Sequence, residues 1–125
     1  KRMTTMIQDK DGVIAAVPST KPSDRHFRNA WVFDSAQSAI TEDLTAAKVI
    51  FKDKIREVRG PLLEAEDVVY MKALEADDAT AKAASVAKKK KLRDAPAASA
   101  ISDADTIDKL KAAWDEDVLG TSPYK

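Results

Sequence analysis

Cysteine is absent from these 125 residues, and histidine occurs once, at His26. No disulfide can staple the fold and no thiolate metal site can form, which leaves the redox compartment undefined. Glycine stands only at Gly12, Gly60 and Gly120, too scattered to line a phosphate-binding loop. A charge excess is missing too, because 21 Lys and Arg balance 21 Asp and Glu. Dedicated DNA-binding modules are usually basic, since counterion release supplies much of their affinity. No apolar run approaches the roughly 20 residues of a membrane span, and the first residues are too polar for a signal peptide. Lys1 and Arg2 precede the first methionine, Met3, which fits a processed or tagged product or a segment of something longer.

Large apolar side chains are scarce as well. Alanine supplies 22 residues, whereas Leu, Ile, Val and Phe together supply only 26. Net neutrality favours folding, but the core reads as thin, so burial is expected to finish against another copy or a partner.

What is present divides in two. Residues 1–41 read as a small β-rich head. In "MIQDKDGVIAAV" (Met6 to Val17), Asp11-Gly12 separates two β-prone runs, a hairpin signal because glycine accepts positive φ. "PSTKPSDRHFRN" is loop. In "AWVFDSAQSAIT", a second pair runs Trp31-Val32-Phe33, turns at Asp34 to Gln37 and returns through Ala39-Ile40. The expected product is one antiparallel sheet of three or four short strands, marginal unless something covers its apolar face. Trp31 and Phe33 share one face and Val32 takes the other.

Residues 42–125 read as helical, giving an α+β chain with a hairpin or bundle of three to four helices. Leu44, Ala47, Phe51, Ile55 and Val58 step by three and four, and Thr41 or Asp43 can cap their start. Gly60-Pro61 either kinks this helix or ends it and starts another. From Leu62 to Leu74 the chain is apolar nearly all round, as for a helix buried on several sides. That makes Leu62, Leu63, Val69, Tyr70, Met71 and Leu74 candidates for a bundle centre or an oligomer seam. Asp77 or Asp78 should cap a helix over about 79–93, whose large apolar residues are only Val86 and Leu92. A connector with one short helical turn follows. Thr106 then caps a last helix carrying Ile107, Leu110, Trp114 and Val118 on one face, stopped by Gly120 before a "TSPYK" tail.

"KKKKLRD" (Lys88 to Asp94) invites a nucleic-acid reading, yet consecutive helical residues point about 100° apart and form no single basic face. No aromatic residue interleaves them as a stacking platform. The expectation is a solvated helix end whose cations suit the dipole. "DKDG" at Asp9 to Gly12 echoes a calcium loop but lacks the distal glutamate, so it reads as a turn. His26 reads as a loop or packing residue, and "DED" at Asp115 to Asp117 as a wet helix face. Trp31 and Trp114 are expected to anchor sheet and last helix in a common core, with an interface role for Trp31, Phe33 or Trp114 as the sharper alternative. No catalytic set, metal site, cofactor or small-molecule substrate is implied.

"KDKIREVRGPLLEAEDVVYMKALE", "KKKKLRDAP" and "TIDKLKAAW" together resemble small tail, tail-fibre or tail-assembly proteins of tailed bacteriophages. The likeness runs from about Lys52 to Trp114. Gly60 stands where alanine is more usual there, and Lys88 to Lys91 is more basic than the family pattern. The resemblance implies a non-enzymatic component of the virion, made in the host cytoplasm and sited at a tail tip, baseplate or fibre attachment. Its partners would be other tail proteins; the thin core adds copies of itself, with a trimer as the expected count. An assembly chaperone absent from the finished particle is the alternative, and a nucleic-acid module using Lys88 to Arg93 the third.

Overall fold

The computed structural model describes residues 6–16, 21–34 and 39–124. The four expected strands form, but as two separate two-stranded antiparallel sheets rather than one. β1 (Met6–Gln8) pairs with β2 (Ile14–Ala16), and β3 (Trp31–Phe33) pairs with β4 (Ile40–Glu42). Each ladder is three residues long, and just beyond β1 the Lys10 N–H donates to the carbonyl of Trp31, the first residue of β3, at 2.9 Å. The expected turn at Asp34 to Gln37 falls mostly on residues outside the described ones, as does Val17.

Asp9 explains why the "DKDG" stretch turns. One carboxylate oxygen accepts the N–H groups of Asp11 and Val13, and the other accepts Phe33 N–H from the second hairpin. Burial alone would raise this carboxyl's pKa, but the three backbone donors outweigh it and the net shift is downward. One short side chain thus closes the first hairpin and fastens it to the second.

α1 (Leu44–Glu75) is a single helix of 32 residues that carries Pro61 inside it. Asp43 caps it by accepting from Thr45 and Ala46 N–H. Pro61 neither ends nor restarts the helix, because each half is held by its own packing. The half before it lies against the head and the C-terminal segment; the half after it pairs with α2 (Ala79–Asp94). The reversal between them places Asp77 at φ +51, and Asp78 caps α2 through Ala81 N–H.

A 3-10 turn at Ala95–Ala97 leads into α3 (Ser99–Asp103). The single last helix expected from Thr106 onwards is instead two, α4 (Ile107–Ala112) and α5 (Glu116–Leu119). Asp115 causes the break: its carboxylate accepts Asp117 N–H and starts a new helix where the periodicity alone would run on. Trp114 sits at the joint, and its indole N–H donates to the Gly120 carbonyl at 3.0 Å.

One apolar cluster joins both parts of the chain. Phe27 and Ala30 from the head meet Ala47, Phe51 and Ile55 of α1, Leu92 of α2 and Leu110, Trp114 and Leu119 from the C-terminal segment. The "TSPYK" stretch is no tail, since Tyr124 stacks on Phe27 and Phe51 and meets Trp114 and His26 edge-on. Trp31 is 2% exposed but lies outside this cluster, with the Arg25 and Arg28 guanidinium groups over its ring. The two tryptophans therefore anchor different packing units, not a common one. Phe33 is half-buried.

A candidate interaction face on the helical arm

The apolar stripe read over Leu44 to Val58 does not stop at Pro61. Leu62, Ala65 and Val69 extend it with the same alternation of four and three residues, so one helix face is apolar along most of α1. Its first part is sealed, with Phe51 and Ile55 no more than 1% exposed. Beyond Val58 the head and the C-terminal segment end, and the stripe emerges uncovered. Val69 is 47% exposed and Val68, on its flank, 54%.

The contact between this arm and α2 has an inverted character. Beyond Leu92, which joins the main core, its buried residues are Glu66, Ala73 and Ser85, and the Ser85 hydroxyl donates to the Glu66 carbonyl at 3.2 Å. Lys88 reaches the Glu66 carboxylate at 3.5 Å, and Lys89 reaches Asp67 at 2.6 Å. Polar groups and alanines face inward, while Leu62, Val68, Val69, Met71, Leu74 and Val86 face water. Of the six residues expected in a seam, Leu63 and Tyr70 are partly covered, and the chain leaves Leu62, Val69, Met71 and Leu74 exposed. The segment is thus not the centre of this chain's own bundle.

The lysine run is more engaged than a solvated helix end. Lys89 is only 14% exposed along its side chain and lies 4.8 Å from the centroid of the Tyr70 ring. Lys90 bonds Asp94 at 2.7 Å. Three of the four lysines thus have acidic neighbours, and two of them, Lys88 and Lys89, tie α2 to α1.

Elsewhere, a groove of 580 Å³ opens between α1, the 3-10 turn and α5, floored by Ile55, Ala95, Val118 and Leu119. The polar residues on its rim are Lys91, Asp94, Asp115 and Asp117, so its lining carries no hydroxyl, thiol or imidazole. Among the described residues there is no cluster of three metal-ligating side chains, and no helix is long and apolar enough to cross a membrane.

A second charged group ties the head to α4. Lys111 donates to Asp24 at 2.6 Å, which holds that carboxyl below its usual range. Glu42 lies beside this pair with one carboxylate oxygen buried and without a hydrogen-bond partner. Burial pushes its pKa up; Asp24 and Asp108 add to the rise, while Lys111 and His26 oppose it. The folded state therefore holds its proton more tightly than the unfolded state, and stability falls as pH rises through that interval, starting near the ordinary value of 4.5. Glu42→Gln is expected to unfold at higher urea than the parent at pH 7. The difference should shrink as pH falls towards 4, where the parent's own carboxyl is neutral.

No known protein family, curated protein or solved structure matches the chain.

Proposed function

We propose that this protein is a non-enzymatic structural component of a bacteriophage tail, placed at the tail tip, baseplate or fibre attachment, that self-associates through the outward face of its helical arm. The observation that carries the reading is the inverted arm. Glu66 and Ser85 are 7% and 1% exposed, while Val68 and Met71 are 54% and 52% exposed. Water is a poor permanent neighbour for such a face. Burying the exposed half of each aliphatic side chain contributes about 1 kcal/mol, so covering Leu62, Val68 and Val69 favours association. The resemblance of residues 52–114 to small tail proteins supplies the setting. The acidic partners of Lys88, Lys89 and Lys90 weigh against the nucleic-acid reading.

Light scattering on the isolated chain tests the association. The mass should be a multiple of 13.6 kDa, and Leu62→Asp with Val69→Asp should return it to one chain with helical circular dichroism unchanged. A parent chain that is monomeric at high concentration would overturn self-association and favour the chaperone. Mass spectrometry of purified particles separates those two roles, since stoichiometric presence excludes a purely transient helper.

A further inference from the structure

This inference rests on the self-association just proposed and specifies its partner and geometry. We propose that the emergent face of α1 pairs with the same face of a second copy, antiparallel, about a two-fold axis that crosses the helix beside Ala65.

Ile55, Val58, Leu62, Ala65 and Val69 repeat at three and four residues, the spacing of a coiled-coil seam. One flank of that seam is occupied within the chain, because Glu66 and Ala73 are buried against α2. The other flank carries Lys54, Pro61, Val68 and Glu75, each seven residues from the next. A partner helix must therefore approach over Leu62, Ala65, Val68 and Val69, and the charges bordering this strip choose its direction.

Four charges matter: Lys54 and Glu57 where the strip begins, Lys72 and Glu75 where it ends. In a parallel pair identical residues lie at one level, so each of these charges faces its own kind. In an antiparallel pair Lys54 comes level with Glu75 of the other copy, and Glu57 with Lys72. The midpoints of 54 and 75 and of 57 and 72 coincide, between residues 64 and 65, so a single register satisfies both pairs and their two symmetry mates. The residue on the seam at that level is Ala65, small enough for close helix approach. Glu64, next to it, points about 100° away and clears the axis. Glu57 is 71% exposed and holds only a 3.4 Å contact to Lys54, a surface pair that yields easily to a better partner. A two-fold, isologous contact of this kind gives a closed dimer, not the trimer expected from the sequence.

The absence of cysteine makes the geometry directly testable. Single-cysteine variants Ala65→Cys, Glu57→Cys and Lys72→Cys of the full chain would be treated with a short bifunctional thiol reagent. Ala65→Cys should link to itself. Lys72→Cys alone should not, because its two copies would lie about 15 residues apart, or roughly 22 Å along the helices. Glu57→Cys mixed with Lys72→Cys should link across the pair. Efficient self-linking of Lys72→Cys would overturn the antiparallel register while leaving self-association intact. A three-chain mass, or a dimer that fails to link at Ala65, would also overturn it. A single-chain mass with no linkage anywhere would remove both this inference and the reading beneath it.

Discussion

Phe51→Ala is expected to remove about 3–5 kcal/mol of stability, a large share of the 5–15 kcal/mol that holds a typical small domain. Phe51 is fully buried and lies where the head, α1 and the C-terminal segment meet. Its ring contacts Trp114 edge-on at 5.9 Å and stacks with Tyr124 at 5.3 Å between centroids. Truncation leaves a cavity walled by residues from three separate parts of the chain, and such walls cannot collapse by one local shift. Urea unfolding followed by tryptophan fluorescence is the measurement. A loss below about 1 kcal/mol would mean that the aromatic group is not the junction described here.

Tyr124 carries the second large effect. Tyr124→Ala should destabilise by about 2–3 kcal/mol, less than Phe51→Ala because the ring is only half-buried. Burial pushes its hydroxyl pKa up to about 12. The fold thus prefers the neutral phenol, and stability is intact below pH 10, then declines as pH rises through the interval from 10 to about 12. Tyr124→Phe keeps the stacking and removes the ionisation. It should unfold like the parent at pH 7 and lose less stability above pH 10. An alkaline decline of equal size in both proteins would place its cause elsewhere.

Much of this architecture is written locally. The stripe from Leu44 to Val58, the caps at Asp43, Asp78 and Thr106, and the stop at Gly120 with φ +84 all act within a few residues. What escaped depends on distance. Nothing near Pro61 reveals that packing on both sides will hold the helix through it. Asp115 reads equally well as a wet surface residue until the turn at Trp114 makes it a cap. Tyr124 follows Pro123 in a stretch that looks like a tail, and only tertiary contact with Phe27 shows otherwise. The two hairpins are linked through the Asp9 carboxylate rather than by a continuous ladder, which strand periodicity does not encode.

The candidate face was half legible for the same reason. An all-round apolar stretch from Leu62 to Leu74 marks contact, but composition does not say with what. The polar character of the α2 side, set by Ser85 and the lysines, decides which residues are left outside. Lys89 over the Tyr70 ring was hidden because the two are 19 positions apart and meet only after the chain reverses.

The stacking of Tyr124 on Phe27 also constrains how the molecule is made. These rings are separated by 97 positions, from residue 27 to residue 124. At a synthesis rate of 5–20 residues per second, the first waits on the order of 5 to 20 s for the second to emerge. For the last 30 of those positions, after Asp94 has emerged, the nascent polypeptide has its helical hairpin in hand but no lid over Phe51, and its greasiest pocket stays open to whatever passes.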